Sequence, residues 1–361
     1  MQKTKNREIE KSKLVHGGDW LGFEEEFGYE ALDFSVNVSP LGLADSIKKA
    51  VIDSLDNVDR YPDPLCRRLT REIGKLENVE PSYCMCGNGA DDLIFRLVAA
   101  KKPRKALITA PTFAEYASAL EVVGCEIGEF PLKEADGFRL GKDIIERVDE
   151  GIDCIFLCEP NNPTGVTSPR ALLVELLSRC EKVGTLLIID ECFVDFLDEP
   201  KNQTMAGFIN EYKNLFILKS FTKLYAMAGI RLGYCLCSDE NLLEKMRRSG
   251  QEWAVSIPAE NAGLAAIKEK EYVDKLKYLI KSERVRVRRE LVNLGITKVY
   301  GEADYLLFYS DVHLADKLRA KGILIRKCDN YSGLGPGWFR LGLKKKVDND
   351  RLIETMREVL L

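Results

Sequence analysis

Lys223 is the residue of this chain with the most chemistry gathered around it. In Leu218-Lys219-Ser220-Phe221-Thr222-Lys223, continued to Gly229-Ile230-Arg231, its amine is accompanied by hydroxyls at Ser220 and Thr222 and by a guanidinium at Arg231. Two hydroxyls and a fixed guanidinium are what a dianionic phosphate needs for charge-assisted hydrogen bonds. The set reads as the anchor of a phosphorylated cofactor. Further upstream, Gly87-Asn88-Gly89-Ala90-Asp91-Asp92 lies between an apolar run and a helical pattern through Leu93, Phe95, Leu97 and Val98. Strand, glycine turn and helix is the layout that aims backbone N–H groups and a helix dipole at a phosphate. A dinucleotide fold would want a third glycine where Asp92 stands, so a single phosphate is the better guest.

Asp190 ends the apolar run Thr185 to Ile189. A carboxylate at the end of so apolar a strand is costly to bury unless it meets a cation. Asn162-Pro163-Thr164-Gly165 ends a second such run, Ile155 to Cys158, at the edge where open α/β sheets bind ligands. Pro111-Thr112-Phe113-Ala114-Glu115-Tyr116 opens a helix after Lys105 to Ala110 and offers two aromatics, Tyr116 or Phe113, for stacking on a flat ring.

These residues need a scaffold that brings strand ends together. From 84 to 235 the recurring unit is strand then helix, with strands apolar on both faces, which predicts a mainly parallel α/β sheet sandwiched by helices with right-handed crossovers. Lys223 is expected in a loop between two core elements. Before this unit, Ile47, Val51 and Leu55 mark one helical face and Leu65, Leu69, Ile73 and Leu76 another, separated by Arg60-Tyr61-Pro62-Asp63-Pro64, which reads as a rigid corner. After it come a long charged helix (268–294), short strands at 305–308 and 323–325, and a closing helix from Asp348. The division expected is a large domain over 45–255 and a smaller α+β domain built from 1–44 and 256–361.

Gly-Asn-Gly, Asn-Pro-Thr-Gly, Asp190, Ser-x-Thr-Lys and Arg231, in this order, resemble the pyridoxal-phosphate enzymes of the aspartate aminotransferase fold, fold type I. The resemblance implies pyridoxal 5'-phosphate as cofactor, Lys223 as its Schiff-base lysine, and Arg231, Ser220 and Thr222 on its phosphate, with backbone amides from Gly89 and Ala90. It further implies Tyr116 stacked on the pyridine ring, Asn162 donating to the ring's 3-oxygen, and Asp190 paired with the protonated ring nitrogen. Tyr61 would cross a homodimer interface to the neighbour's cofactor, and Arg340 would clamp the substrate α-carboxylate. Within the family, His16-Gly17-Gly18, Asp33-Phe34-Ser35 with Asn37, Phe113 to Tyr116, and Asp329-Asn330-Tyr331 are most similar to the L-threonine-O-3-phosphate decarboxylases of cobalamin biosynthesis, and next to the histidinol-phosphate aminotransferases. Phe193 carries that distinction, since the aminotransferases normally have a tyrosine there. His16, Arg326 and Asn37 are the expected substrate contacts, the first two for a substrate phosphate. Asp19 and Lys344-Lys345-Lys346 depart from the decarboxylase pattern.

Composition agrees with small-molecule chemistry. The 361 residues are enough for about two domains. With 53 Lys and Arg against 57 Asp and Glu, net charge −4, the chain lacks the basic excess of a nucleic-acid binder. A ligand-sensing regulator of the same fold would need a DNA-binding domain ahead of Asp33, where a few dozen residues cannot supply one. The 11 cysteines are odd in number and sit in apolar strands, the habit of reduced thiols in a cytoplasm. Cys84-x-Cys86 and Cys235-x-Cys237 lack metal-ligand spacing and only His16 and His313 could join them, so no metal is expected. No apolar run has the length of a signal peptide or membrane span, and Glu8 and Glu10 interrupt the basic residues between Lys3 and Lys13.

Overall fold

Runs such as Cys154–Cys158 and Leu186–Asp190 are apolar at nearly every position, so neither face of the sheet they join can meet solvent, and helices must cover both. The computed structural model describes residues 16–360. The charged stretch from Lys3 to Lys13 and the expected absence of a signal sequence there lie outside the described residues. So do the first residues of the 1–44 segment. Described in chain order, the elements are α1 (Trp20–Phe27), β1 (Leu32–Asp33), α2 (Asp45–Ser54), α3 (Arg67–Glu77), β2 (Cys84–Gly87), α4 (Ala90–Lys101), β3 (Lys105–Ala110), α5 (Glu115–Val122), β4 (Glu126–Pro131), β5 (Cys154–Cys158), α6 (Arg170–Val183), β6 (Leu186–Asp190), β7 (Leu215–Ser220), α7 (Phe221–Leu224) and β8 (Gly233–Leu236). There follow α8 (Glu240–Arg248), α9 (Ile257–Ala266), α10 (Lys270–Asn293), β9 (Val299–Tyr300), β10 (Tyr305–Tyr309), α11 (Leu314–Arg319), β11 (Ile323–Leu324), β12 (Arg326–Lys327), β13 (Trp338–Gly342) and α12 (Lys346–Leu360).

The large sheet has the order β2-β8-β7-β6-β5-β3-β4. From β4 to β7 neighbouring strands run parallel, while β8 lies antiparallel between β7 and β2. Alternate residues feed two cores: Ile155, Leu157, Leu187, Ile189 and Ile217 face one, and Phe156, Leu186, Ile188, Phe216 and Leu218 the other. Each such side chain contributes roughly 1.5–3 kcal/mol by leaving water. The register sets Cys158 beside Asp190 and Asp190 beside Leu218, so the polar residues that end these strands emerge along one edge.

A second sheet, β12-β13-β10-β9, is antiparallel, and β1 pairs in parallel with β11. Phe34 N donates to Leu324 O and Gly342 N to Phe34 O, which threads the residue after β1 between β11 and β13. On the helical faces read from the sequence, Ile47, Leu69 and Ile73 are buried, but Leu55, Leu65 and Leu76 are exposed. Ile52, Val58, Tyr61 and Trp253 are also exposed, so these segments keep apolar side chains in solvent. No helix among the described residues is long and apolar enough to cross a membrane.

Candidate active site

The strand ends, α7 and the β1–α2 segment enclose a cavity of about 440 Å³ lined by Lys223, Asp190, Asn162, Arg231, Arg326 and Arg340, with His16 at its rim. Lys223 lies not in a loop but in the single helical turn α7, because Ser220 caps it: Ser220 Oγ accepts from Thr222 N at 3.2 Å. The same oxygen lies 2.6 Å from Thr222 Oγ1 and 3.4 Å from Lys223 Nζ, so amine and hydroxyls share one turn.

The glycine turn after β2 meets this group. Gly89 has φ +85°, and a Cβ there would run into the Arg231 guanidinium. Beneath the turn, a Cβ on Gly233 of β8 would come within 2.7 Å of Ala90 N. Arg231 adopts φ +61°, a left-handed conformation that non-glycine residues hold only where the surroundings impose it, as at functional sites. Its Nη2 contacts Asp91 Oδ2 at 3.3 Å. Helix α4 therefore starts beside a guanidinium and two hydroxyls, a cradle of phosphate character.

Asp190, 4% exposed, accepts from Cys192 N at 2.9 Å and from Tyr116 Oη at 2.6 Å. Burial, and then the Asp190 carboxylate, push the Tyr116 hydroxyl well above its ordinary pKa, which keeps it a donor. Tyr116 is fully buried and stacked on Phe156 at 5.1 Å, and is absent from the cavity lining. The aromatic of that helix end that lines the cavity is Phe113, edge-on to Tyr116 at 5.6 Å. Tyr116 thus touches Asp190, and Phe113 is the aromatic that faces the cavity.

Arg340 donates from Nη1 to Asn162 Oδ1 at 2.5 Å and from Nη2 to Ser35 O at 3.0 Å. A guanidinium can only donate, so Asn162 must turn its oxygen to Arg340, leaving its amide hydrogens for another acceptor. Arg340 Nε and Asn37 Oδ1 are buried without a partner among the described residues, which marks them as groups awaiting a ligand. Arg326 donates to Asn330 Oδ1 at 2.9 Å and lies over the Tyr331 ring at 5.5 Å. His16 and Arg326 also line an adjoining cavity of about 750 Å³. Tyr61 is not brought to this site: it is 78% exposed and stacked on Trp253 at 4.6 Å. Among the described residues no group of three or more His, Cys, Asp or Glu could hold a metal ion.

Cys158 and Cys192 line the cavity on either side of Asp190 and were not foreseen. The Asp-x-Cys spacing could have revealed the second, since an aspartate readily accepts from the N–H two residues on. Asp304 carries no such signal. Its carboxyl is buried with Oδ1 unpartnered among the described residues, and burial pushes its pKa from 3.8 up to about 7 against the pull of its own backbone N–H, Arg340 and Lys223. The folded state then holds a proton that the unfolded chain has released between these values. Asp304's contribution to stability is complete below the lower value and is lost as pH rises through the upper. Asp304→Asn, neutral throughout, should therefore raise the thermal midpoint at pH 8, by a few kcal/mol in stability at most, and leave it nearly unchanged at pH 4, as followed by circular dichroism. An equal shift at both pH values would count against this assignment.

The cradle at α4, the amine of Lys223 and the buried carboxylate of Asp190 match the phosphate, the aldehyde and the ring nitrogen of pyridoxal 5'-phosphate, so fold and site define a pyridoxal-phosphate enzyme of fold type I. The chain belongs to the aminotransferase class I and II family, whose profile matches residues 29–356. It is 38% identical to threonine-phosphate decarboxylase of Salmonella typhimurium over 92% of each chain. It is 29% identical to a histidinol-phosphate aminotransferase of Caldicellulosiruptor saccharolyticus, over 93% of this chain and 94% of that one. The crystal structure of the histidinol-phosphate aminotransferase from Clostridium acetobutylicum superposes with a TM-score of 0.85 at 28% identity, covering 91% of this chain and 98% of the other.

Proposed function

We propose that this protein decarboxylates L-threonine O-3-phosphate to (R)-1-amino-2-propanol O-2-phosphate, a step of cobalamin biosynthesis, and that it works as a homodimer. The observation that carries the reading is Phe193. Its ring lines the cavity 5.6 Å from Lys223 Nζ, presenting hydrocarbon where the resembled aminotransferases carry a hydroxyl. The similarity to the Salmonella decarboxylase supports the same choice.

When bound, the cofactor supplies an electron sink at the substrate's α-carbon, and the bond there that stands perpendicular to its ring is the one that breaks. The residues decide which bond that is. Arg340, already held by Asn162 and the Ser35 carbonyl, offers its unpartnered Nε to the substrate carboxylate, and Asn37 lines the same cavity as a further substrate contact. Arg326 and His16 take the substrate phosphate at the rim, fixing the far end of the molecule. Gripped at both ends, the substrate has its α-carbon rotation set by the protein. Lys223 Nζ delivers the proton that replaces the carboxylate, and Asp190, oriented by Tyr116 and Cys192, holds a proton on the ring nitrogen. Phe113 packs against the ring, and Asn162 donates its amide to the 3-oxygen. Gly89, Ala90, Ser220, Thr222 and Arg231 hold the cofactor phosphate, joined by Tyr61 from a second subunit. The exposed Ile52, Leu55 and Val58 in the stretch leading to Tyr61, and Trp253 stacked on its ring, support that pairing.

The test is to supply cofactor-loaded protein with L-threonine O-3-phosphate and measure carbon dioxide, beside a transamination assay with histidinol phosphate and 2-oxoglutarate. Carbon dioxide without glutamate is expected. Glutamate without carbon dioxide would make the chain an aminotransferase that tolerates Phe193.

A further inference from the structure

The cavity holds one anion that the proposed chemistry leaves unused. Asp190 belongs to the ring nitrogen and Asp91 to Arg231, but Glu115, the first residue of α5, also lines the cavity. A carboxylate beside a subsite for a phosphate dianion repels it unless a hydrogen-bonding group stands between them. Here His16 occupies that place: His16 Nε2 lies 2.6 Å from Glu115 Oε1.

The arrangement around His16 is built. Its ring lies 5.8 Å from that of Phe113. The peptide that follows is pinned, since Gly18 N donates to Ser35 Oγ at 2.8 Å and that hydroxyl donates to Asp33 Oδ1 at 2.6 Å. A carboxylate can only accept, so Nε2 carries the hydrogen of the pair, and Nδ1 makes no hydrogen bond among the described residues. An imidazole whose one nitrogen donates to a carboxylate has its ring plane fixed, which aims the other nitrogen at the cavity.

We infer that Glu115 is a positioning residue for the substrate phosphate: it holds His16 across the cavity rim as a donor whose second nitrogen meets the phosphate opposite Arg326. Because His16 comes from the N-terminal segment and Glu115 from the helix after β3, the same bond ties that segment to the large sheet's side of the cavity. The inference rests on the proposed phosphorylated substrate.

The test uses holoenzyme carrying Glu115→Ala, Glu115→Gln, His16→Ala and the double replacement Glu115→Ala with His16→Ala. Glu115→Ala should raise the KM for L-threonine O-3-phosphate about tenfold, the worth of a hydrogen bond to a charged group, with a kcat change below about twofold. Glu115→Gln, which keeps an acceptor of the same size but no charge, should fall between wild type and Glu115→Ala. Against the His16→Ala background, Glu115→Ala should no longer raise the KM and should lower it slightly, because the carboxylate left without its imidazole only repels the phosphate. Binding of inorganic phosphate to the holoenzyme, read by calorimetry, should weaken in the same pattern. An unchanged KM, an equal effect in both backgrounds, or tighter phosphate binding by Glu115→Ala would overturn the inference, the last by making Glu115 a repelling gate. If the wild-type holoenzyme releases no carbon dioxide, the proposed substrate is wrong, and the phosphate titration still reads whether Glu115 acts through His16.

Discussion

Replacing Lys223 with alanine should remove turnover by at least about 10⁴-fold, because in the proposed reaction one amine both holds the cofactor and moves the proton at the α-carbon. The structure shows why no neighbour can substitute. Lys219, four residues before it in the same segment, points away into a buried network, with Nζ 3.1 Å from Glu77 Oε1 and 3.8 Å from Glu191 Oε2. The other basic side chains that line the cavity are guanidiniums, which stay protonated, and the His16 imidazole, which has no primary amine to offer. Borohydride reduction of loaded wild-type protein should leave the mass of the reduced cofactor on the peptide containing Lys223, and the alanine variant should show none. Label on a different lysine, or activity above about one hundredth of wild type, would sink the assignment.

Asp190→Asn should lower kcat about 10³-fold and loosen the cofactor, with the fold kept. The side chain receives two donors, Tyr116 Oη and Cys192 N, and its remaining lone pairs face the cavity. Asparagine has one oxygen for those two donors and presents NH₂ in place of the other, which cannot stabilise a protonated ring nitrogen. The measurements are kcat with saturating cofactor and the cofactor's dissociation constant by fluorescence. Tyr116→Phe serves as the graded control, since it removes only one orienting hydroxyl and should cost far less. A near-normal kcat for Asp190→Asn would show that the ring proton is held by another group.

The central strands were legible because burial on both faces leaves no polar alternation: β5, β6 and β7 stand out as short apolar runs bounded by polar residues. The residues at their ends were legible for a related reason, since Asp190 and Asn162 are polar where the pattern demands apolar. Strand direction was not. Gly233–Leu236 reads as one more buried strand, and nothing local says that β8 enters antiparallel between β7 and β2. Strand β4, Glu-Ile-Gly-Glu-Phe-Pro, escaped notice because an edge strand with exposed positions lacks an apolar run. Phe113 and Tyr116 could not be told apart, since they flank the start of α5, one two residues before it and one in its first turn, and the sequence does not give their depth. Leu55, Leu65 and Leu76 fit a helical stripe whether that stripe meets the core or a second subunit.

The bond from Arg340 Nη2 to the Ser35 carbonyl joins residues 305 positions apart, and the one from Nη1 reaches Asn162 across 178. Closing such loops is slow, because chain entropy must be given up before any contact rewards it. Synthesis adds a constraint of order: the parallel strands carrying Asp190 and Lys223 can pair while the ribosome is still making the last third of the chain. The roof of the cavity cannot, since β1 waits for β11 and Arg340 lies within the final strand. Nascent chains thus pass through a stage with Asp190 and Lys223 in place and Arg340 still missing, and a chain cut short before β13 would stay there.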